Sequence, residues 1–318
     1  MIIVNNNYIT KMAAENSIVV VGSCMIDFVS YAPRLPQEGE TIHGTKFVTN
    51  FGGKGANQCV AAAKLGGNTT LIARVGDDIW ADKYIDNLKA CKVNTKYMEK
   101  TEGYASGVAQ ITVSADGANQ IVIVAGANSK LCPDDVRRSE QAIKNAAVLV
   151  CQLETCAEVA IESMQLCGGV TILNGAPAVS QYDMRLLTTP KIFCVNESEA
   201  SIFSGVEVKN INDGKEAIEA LLLKGCNSVI LTLGSEGALY SCKADPNNFV
   251  YVKCPKVKCV DSTGAGDSFI GALAYLLANK KDLSMEKCLE QACTVASDSV
   301  TKPGTQISFP GPEILLKL

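Results

Sequence analysis

Short apolar runs alternate with amphipathic runs along most of the chain. Ser17 to Gly22, Ala147 to Leu153 and Asn227 to Leu233 are short and largely apolar, which is typical of strands buried inside a parallel sheet. Ala217 to Lys224 has the apolar spacing of a helix and precedes the last of these runs. Strands that alternate with helices predict an α/β fold, with one doubly wound, mostly parallel sheet flanked by helices.

Two segments, residues 28–50 and 105–125, interrupt this alternation with shorter patterned strands. In the second segment, Gly107 to Val113 and Gln120 to Val124 flank the turn Ala115-Asp116-Gly117, and Asp-Gly turns favour hairpins. We therefore expect a small β sheet that projects from the main domain. It would serve as a lid over a site, as a dimer surface, or as both.

The rest of the sequence reads as one domain, because it has no internal repeat, low-complexity tract or interdomain linker. Residues 17–318 are expected to form this domain. Its N-terminal neighbour, residues 1–16, begins with the apolar run MIIV and continues with Asn5 to Asn7. That run is too short for the core of a signal peptide. We expect residues 1–16 to be a mobile N-terminal tail.

A glycine-rich turn between an expected strand and an expected helix is the first candidate for chemistry. Val257 to Val260 reads as a strand and Phe269 to Asn279 as a helix, with Gly264 to Gly266 between them. Glycines leave N–H groups accessible at a helix start, where the helix dipole also favours an anion. Asp267 would repel a bound phosphate unless it took part in the reaction. The pattern favours phosphoryl transfer with Asp267 as proton acceptor, whereas the competing interpretation makes Asp267 a helix cap.

A second glycine-rich helix start, Gly52 to Gln58, precedes the helix-like run Cys59 to Leu65. It does not fit the GxxxxGK[ST] pattern of a P-loop. Its glycines nevertheless allow a ligand to approach the backbone, and Asn57 can bind hydroxyl groups. Two such starts in opposite halves of the chain favour a ligand site more than either does alone.

Polar residues also follow several of the expected strands. Asp27 comes after the first strand, Glu154 follows Ala147 to Leu153, and Asn196 to Glu199 follow Lys191 to Val195. Each of these residues is by itself typical of a loop. Because ligands of open α/β sheets bind at the carboxyl ends of the strands, their joint placement favours a site at that edge.

Charge and composition exclude several classes of partner. The net charge is −4 and the Lys and Arg residues are scattered, so nucleic acid is not an expected partner. No apolar run approaches the roughly 20 residues that span a bilayer, so no membrane partner is expected either. The fourteen cysteines lack paired CxxC spacing, and several lie in apolar runs. Free thiols in the cytoplasm, with the nucleus as a second location, explain them best.

His43 is the only histidine, which excludes Ser-His-Asp and Cys-His catalysis within one chain. The proton acceptor must therefore be a carboxylate, Lys, Tyr or Cys. We expect His43 itself to lie on the surface of a strand.

The motifs Gly52 to Gln58 and Asp261 to Phe269 resemble the two signature regions of the ribokinase (PfkB) family of sugar and nucleoside kinases. The resemblance covers nearly the whole chain. It implies the family's fold and ATP-dependent, in-line phosphorylation of the 5-hydroxyl of D-ribose. In this reading Asp267 is the base, and Gly264, Ala265 and Gly266 form the anion hole for the phosphate.

The same resemblance implies the other site residues, position by position. The residues that match sugar contacts are Met25, Asp27, Gly53, Lys54, Gly55, Ala56, Asn57, Glu154 and Asp267. Those that match nucleotide contacts are Asn196, Glu199, Thr232, Gly234, Ser235, Glu236, Gly237, Gly266 and Cys293. Asn196 and Glu199 match an Asn-x-x-Glu motif associated with Mg²⁺ and phosphate through water.

The resemblance also implies a monovalent cation activator, normally K⁺, and a homodimer formed through the β lid. The matching cation positions are Asp261, Thr263, Ser299, Lys302, Gly304 and Ser308. Two positions depart from the family pattern: Lys302 stands where a small residue is usual, and Cys293 where an Asn near adenine is common. We expect the Lys302 side chain to point to solvent.

Two alternatives remain open at this point. Another kinase of the family, a fructokinase or a nucleoside kinase, would share both motifs, although Asp27, Asn57 and Glu154 favour a small bare sugar over a nucleoside. A non-catalytic sugar or nucleotide sensor could share the fold. The presence of Asp267 beside the glycine-rich turn argues against a sensor, which needs no base.

Overall fold

The computed structural model describes residues 16–317, so the predicted N-terminal tail lies, except for its last residue, outside the described residues. The strands are β1 (Ser17–Val21), β2 (Met25–Ala32), β3 (Lys46–Gly52), β4 (Asn68–Val75), β5 (Asn94–Lys100), β6 (Gly107–Ser114), β7 (Asn119–Val124), β8 (Val148–Cys151), β9 (Val170–Asn174), β10 (Ile192–Asn196), β11 (Ser228–Thr232), β12 (Ala238–Cys242) and β13 (Asp245–Val252).

The helices occupy the connections between these strands. They are α1 (Lys54–Lys64), α2 (Ile79–Ala90), α3 (Pro133–Arg138), α4 (Glu140–Lys144), α5 (Ala157–Leu166), α6 (Arg185–Thr188), α7 (Glu197–Ser204), α8 (Ile211–Leu223), α9 (Ala265–Asn279) and α10 (Met285–Ser299), with 3₁₀ turns at Gly126–Lys130, Gly234–Glu236 and Pro312–Lys317. Within residues 16–317, none of these helices has the length and apolar character needed to cross a bilayer.

A nine-stranded sheet forms the centre of the molecule, in the order β13-β12-β11-β10-β9-β8-β1-β4-β5. From β11 to β5 the neighbouring strands are parallel, and β12 and β13 add an antiparallel edge. The central strands are buried on both faces, as parallel strands between helices must be. The predicted mostly parallel, doubly wound sheet is confirmed.

Two apolar cores lie on the two faces of this sheet. One packs α1, α2, α9 and α10 against it, and the other packs α3 to α8. Alternate side chains of one strand feed both cores: Val20 of β1 belongs to the first and Val19 to the second, because successive strand residues point to opposite faces. The helices α1 and α9, which begin at the two glycine-rich motifs, therefore share one face.

A second sheet of four strands, in the order β3-β2-β6-β7, is the predicted small β sheet. Its hairpin turns at Asp116-Gly117, as expected, and Gly117 has a φ of 89°. Other details differ from the sequence prediction. Glu40 to Gly44 is not a strand, so His43 lies exposed in a loop. Asp27 does not follow β1 as a turn residue but lies within β2, opposite Asn50 of β3.

Several element bounds also differ from those predicted. Val257 to Val260 is an exposed loop after β13 and not a strand, since its apolar side chains find no sheet to cover. Both helices begin earlier than predicted, within the glycine-rich segments. α1 begins at Lys54 and α9 at Ala265. Apolar spacing cannot reveal a first helical turn whose residues face a cavity.

Candidate active site

Asp267 lies in the first turn of α9 and is 8% exposed. Both of its carboxylate oxygens accept hydrogen bonds from amides of α1. Asn57 Nδ2 lies 2.9 Å from Oδ2, and Gln58 Nε2 lies 2.9 Å from Oδ1. Asp267 is not the cap of α9. Gly264 occupies the cap position, and the start of α9 has no side-chain cap hydrogen bond. The structure thus holds a buried carboxylate in a fixed orientation at the start of a helix.

The pKa of Asp267 is raised from its ordinary value, mainly because burial disfavours the charged form. The Lys54 ammonium and the hydrogen bonds from Asn57 and Gln58 lower it, while the nearby Glu154 carboxylate raises it. A carboxylate with a raised pKa is a stronger proton acceptor, provided that it is ionised. The surroundings of Asp267 suit a general base.

The side-chain amides of Gln152 and Gln306 orient the two amides that hold Asp267. Gln58 Oε1 accepts from Gln152 Nε2 at 2.7 Å, which leaves the Gln58 NH₂ group pointing at Asp267. Asn57 Oδ1 likewise accepts from Gln306 Nε2 at 3.0 Å. Because a side-chain amide has one acceptor and one donor end, occupying the acceptor end fixes which end faces the carboxylate.

Gly264 allows the backbone to turn into α9. It has a φ of 79°, in the left-handed region, and a Cβ there would lie 2.4 Å from Thr305 Cγ2. The following residues Ala265 and Gly266 begin the helix, and a Cβ on Gly266 would have no atom within 4 Å. A ligand can therefore approach the backbone of this first turn at Gly266, whereas the Ala265 N–H already donates to the Ser262 carbonyl at 3.2 Å.

Two further carboxylates, those of Asp27 and Glu154, lie close to Asp267. Burial, Glu154 and Asp267 together raise the pKa of Asp27 to about 7, which places the three groups in one electrostatic neighbourhood. Glu154 accepts from the backbone N–H of Lys54 at 2.9 Å and from the Ser23 hydroxyl. Groups just after β1 and at the start of α1 thus hold Glu154, while strand β2 of the small sheet supplies Asp27.

The remaining predicted sugar contacts occupy the backbone junction between β2 and α1. Gly53 caps α1 with a φ of 91°, and a Cβ there would lie 2.8 Å from the Met25 nitrogen. Met25, Gly55 and Ala56 are buried, and Ala56 donates its N–H to the Ser23 carbonyl at 2.9 Å. Their side chains pack in the interior. Any contact with a ligand would come from backbone groups.

On the other side of Asp267 a cavity of about 200 Å³ adjoins the start of α9. Lys54 lines it together with Asn196 and Thr232, the last residues of β10 and β11, and Glu199 in the first turn of α7. The Lys54 ammonium lowers the pKa of both Asp267 and Glu199, so it is close to both carboxylates. A cation beside helix N–H groups makes this cavity suited to phosphate.

Asn196 and Glu199 form the capping box of α7. Asn196 Oδ1 accepts from the Glu199 N–H at 2.9 Å, and Glu199 Oε2 accepts from the Asn196 N–H at 2.9 Å. Burial raises the pKa of Glu199, and Asp267 adds to this. The Asn-x-x-Glu spacing therefore has a structural cause, and it leaves one carboxylate oxygen of Glu199 for other partners.

A second cavity, of about 470 Å³, continues from the start of α9 toward α10. The two cavities share Ser262 and Ala265. The rest of the second cavity is lined mainly by the 3₁₀ turn Gly234–Glu236, residues 254–259 and the end of α10. Gly237, which ends this turn, has a φ of 121°. Cys293, a predicted nucleotide contact, is 1% exposed and lies behind the wall rather than in it.

The predicted cation positions lie on two loops that Asp261 joins. Its Oδ1 accepts from the Thr263 N–H and its Oδ2 from the Gly304 N–H, both at 2.9 Å. Gly304 has a φ of 87°. This arrangement fastens the loop before α9 to the loop after α10.

Three other predicted cation positions lie at or after the end of α10. Ser299 is its last residue, and Lys302 and Ser308 follow in the loop. Lys302 Nζ lies 2.9 Å from Asp298 and the side chain is 51% exposed, so the expectation that it points to solvent is confirmed. Ser299 Oγ donates to the Ala296 carbonyl, and Ser308 Oγ donates to the Thr305 carbonyl. Both hydroxyls are therefore turned toward the chain's own backbone. No group of three or more His, Cys, Asp or Glu side chains in residues 16–317 could hold a metal ion.

Sequence reasoning missed Ser23, Gln58, Gln152 and Gln306, which position the functional side chains. Gln58 follows Asn57 directly in a glycine-rich motif, and that adjacency could have identified it. Gln152 and Gln306 lie 94 and 249 positions from their partners. No local signal points to them.

The chain is similar over nearly its whole length to known carbohydrate kinases. The profile of the pfkB family of carbohydrate kinases matches residues 15–312. Ribokinase from Mus musculus is 43% identical over 297 residues, or 92% of each chain. Deoxyribokinase from Salmonella typhi is 40% identical over 299 residues, covering 93% of this chain and 96% of that one. The structure of Arabidopsis thaliana ribokinase complexed with ribose and ATP has a TM-score of 0.86 at 30% identity, covering 95% and 98% of the two chains.

Proposed function

Because the chain belongs to the pfkB family of carbohydrate kinases, we propose that it is a ribokinase, which transfers the terminal phosphate of ATP to the 5-hydroxyl of D-ribose. One observation carries the proposal. The buried carboxylate of Asp267 lies in the glycine-rich first turn of α9, near the carboxylates of Asp27 and Glu154 and at the edge of the cavity that Lys54 lines. A hydroxyl and a phosphate can therefore meet beside a single proton acceptor.

The reaction follows from the positions of these groups. Asp27, Asn57 and Glu154 hold the sugar hydroxyls, and the 5-hydroxyl gives its proton to Asp267 as its oxygen attacks the phosphorus in line. Phosphoryl transfer has a loose transition state, so positioning and charge stabilisation matter more than base strength. The N–H groups of Gly264 to Gly266 and the Lys54 ammonium stabilise the negative charge on the phosphate oxygens.

A Mg²⁺ ion belongs in this proposal as part of the nucleotide complex. Mg²⁺ usually keeps several waters and is held by one or two carboxylates and substrate phosphates, and Glu199 lines the phosphate cavity beside Lys54. When bound, the ion would neutralise phosphate charge. Asn196 fixes the Glu199 backbone and one carboxylate oxygen, so that the other can accept from metal-bound water.

A monovalent cation activator, K⁺, is proposed at the paired loops of Asp261 and residues 299–308. Such a cation takes oxygen ligands, and the Asp261 carboxylate lies where it bridges the two loops. Binding there would stiffen the loop that leads into Gly264. The expected consequence is higher activity in K⁺ than in Na⁺ at equal ionic strength.

A second candidate substrate, deoxyribose, is favoured by the 40% identity to a deoxyribokinase. The two sugars differ only in the 2-hydroxyl. A site that hydrogen-bonds this hydroxyl rejects the analogue that lacks it, because buried polar groups are then left unpaired. The abundance of carboxylate and amide acceptors around Asp27, Asn57 and Glu154 supports ribose as the preferred substrate.

The test is an ADP-release assay with ribose, deoxyribose, fructose and adenosine, each in K⁺ and in Na⁺ with Mg²⁺. Ribose should give the highest kcat/KM, and Asp267→Asn should lower kcat by about 10³-fold while sugar and ATP still bind in calorimetry. Near-normal turnover of Asp267→Asn would remove the base from the mechanism. A preference for deoxyribose would overturn the substrate assignment and leave the mechanism standing.

Two further proposals concern the whole protein. A homodimer through the small sheet is supported by the exposed apolar residues of its edge strand β7. A cytoplasmic location, with the nucleus as a second one, is supported by the fourteen cysteines, all of which are free thiols, as in a reducing compartment.

A further inference from the structure

The backbone crosses four times between the main domain and the small sheet, and one buried side chain, that of Asn128, holds two of these crossings. Asn128 lies in the 3₁₀ turn Gly126–Lys130, which follows β7, and it is fully buried. Its Oδ1 accepts from the Cys24 N–H at 2.8 Å, and its Nδ2 donates to the carbonyls of Cys24 at 2.8 Å and Ala125 at 2.9 Å. The amide therefore ties the link between β1 and β2 to the chain that leaves β7.

The first residues of both central strands of the small sheet also pack on Asn128. Met25 of β2 and Gly107 of β6 are register partners, and Met25 Sδ lies 3.6 Å from Asn128 Nδ2. A Cβ on Gly107 would lie 2.2 Å from Asn128 Nδ2 and 2.8 Å from the Cys24 carbonyl oxygen. Glycine is therefore the residue that lets β6 start against this amide.

The other two crossings are held by different polar side chains. The Tyr84 hydroxyl donates to the Gly52 carbonyl at the end of β3. Ser106, which precedes β6, donates its N–H to the Asp78 carboxylate at 2.7 Å. Tyr84 and Asp78 belong to α2 and its N-cap, so these contacts fasten the small sheet to a helix. Asn128 instead holds the chain between the carboxyl end of β1 and the start of β2.

The start of β2 decides where Asp27 lies. Asp27 stands three residues after Cys24 and belongs to the small sheet, whereas Glu154 and Asp267 belong to the main domain. Burial and the charges of these two carboxylates raise the pKa of Asp27, so it lies close to both. Because a strand is an extended, stiff segment with a rise of about 3.3 Å per residue, a shift at Cys24 is carried on to Asp27.

An amide suits this position better than an apolar side chain does. The Cys24 peptide groups are buried and present one donor and one acceptor to the same side chain. A side-chain amide offers both an acceptor and donors. An apolar residue of the same size would leave these buried backbone groups without that partner, at a cost in stability.

We propose that Asn128 is a positioning residue for the sugar site: by fixing the start of β2 to the main domain, it holds Asp27 at the distance from Glu154 and Asp267 at which one sugar contacts all three. Asn128 acts through the backbone and does not itself touch the sugar. Its part in sugar binding rests on the proposed function. The placement of Asp27 beside the two main-domain carboxylates does not.

The first experiment compares the KM values for the two substrates. Asn128→Ala should raise the KM for ribose about tenfold, because the sugar loses a well-placed carboxylate, and should change the KM for ATP less than about twofold. Lys54 and the start of α9, which line the phosphate cavity, lie in the main domain and do not depend on β2. ADP release measures both constants. Equal rises in the two KM values, or no rise in either, would overturn the proposal.

Three further variants separate positioning from loss of stability. Asn128→Ser keeps a hydroxyl that can bond to Cys24 and should raise the KM for ribose less than Asn128→Ala does. Gly107→Ala disturbs the same contacts from the side of β6 and should also raise the KM for ribose selectively. Leu187→Ala leaves a cavity in the second core and lowers stability, but it should leave both KM values unchanged. A selective rise in Leu187→Ala would show that loss of stability alone explains the effect.

The last experiment needs no substrate and separates this proposal from the proposed function. At pH 8 the ionised Asp27 carboxylate is held near two others, so Asp27→Asn should stabilise the sugar-free protein against urea. In a double-mutant cycle with Asn128→Ala this gain should be lost, because Asp27 is no longer held beside Glu154 and Asp267. An undiminished gain would refute the role of Asn128, even if ribose is phosphorylated. A lost gain in a protein that does not phosphorylate ribose would refute the proposed function and leave the role of Asn128 in place.

Discussion

At the scale of single residues, the candidate site depends on amides that can face only one way. Gln152 and Gln306 occupy the acceptor ends of Gln58 and Asn57, so both NH₂ groups point at Asp267. Each hydrogen bond to the carboxylate lowers its pKa, against a larger rise caused by burial. The protonation state of Asp267 is therefore set by a balance that a single side chain can disturb.

Gln58→Met should lower kcat roughly tenfold at neutral pH with little change in the KM for the sugar. Methionine fills similar space but cannot donate, so the pKa of Asp267 rises further. Because Asp267 must be ionised to accept a proton, the acidic limb of the kcat–pH profile should move to higher pH. The profile is measured beside that of Gln141→Met, an exposed glutamine of α4. A fall in kcat without a shift of the limb would mean that Gln58 acts only in packing.

Asp27→Asn should stabilise the sugar-free protein at pH 8 but not at pH 4. The folded-state pKa of Asp27 is about 7, above its ordinary value of 3.8, so the folded state binds the proton more tightly. The contribution of Asp27 to stability is complete below about pH 4 and is lost as the pH rises through 7. Asparagine does not suffer this loss, and the gain at pH 8 should be about 1–2 kcal/mol, discounted for solvent in the open site.

Urea unfolding at the two pH values measures the effect of Asp27→Asn. Asp282→Asn, at an exposed position, is the control and should behave alike at both. The same difference at pH 4 and at pH 8 would show that Asp27 titrates as an ordinary exposed carboxylate.

The sequence indicated the base but not the residues that hold it, and the reason is distance along the chain. Asp267 and Gly264 share one short motif, so their chemistry could be predicted together. Gln306 reaches Asn57 from 249 positions away, and only the packing of α1 against the C-terminal loop brings them together. Asp27 was predicted as a site residue after the first strand, but its place within β2 was not, because a strand that starts within four residues of another gives no separate signal.

At the scale of elements, the glycine-rich start of α9 joins the two cavities. Gly264 and Gly266 have different parts in it, although they stand two residues apart. Gly264 turns the backbone in the left-handed region with Thr305 close by, while Gly266 faces open space. The first glycine is required by the fold, and the second by the ligand.

Gly264→Ala should destabilise the protein by about 2 kcal/mol, because an L-residue is strained at this φ and the new methyl group would meet Thr305 Cγ2 at 2.4 Å. Gly266→Ala should leave stability unchanged or raise it by up to about 1 kcal/mol, the helix preference of alanine over glycine. Its methyl group enters the phosphate cavity, so the KM for ATP should rise. Urea unfolding and ATP titration measure the two effects. Equal destabilisation by both substitutions would contradict the division of roles.

The elements that sequence pattern missed are those with weak apolar periodicity. The edge strand β5 (Asn94–Lys100) is polar and half exposed, so it resembles a loop in sequence. The buried parallel strands, in contrast, were recognisable from their continuous apolar runs.

At the scale of the whole molecule, the small sheet has an unpaired edge. Among residues 16–317, strand β7 pairs only with β6, and all six of its residues are exposed. Ile121, Val122, Ile123 and Val124 are each between 52% and 65% exposed. A monomer that left such a strand in solvent would risk aggregation, because an apolar edge is a template for another chain. A second copy of the small sheet is the partner that suits it, since self-complementary contacts form closed dimers.

The double substitution Ile121→Lys/Ile123→Lys should convert the proposed dimer to a monomer, because it places charges on one face of β7 without touching either core. Ile202→Lys, at an exposed position on α7, carries a similar change elsewhere and should leave the dimer intact. Sedimentation equilibrium measures the mass of each.

Since β2 of the same sheet carries Asp27, loss of the dimer should also raise the KM for ribose more than the KM for ATP. A monomeric unmodified protein would refute the dimer, and a dimeric double variant would move the interface away from β7.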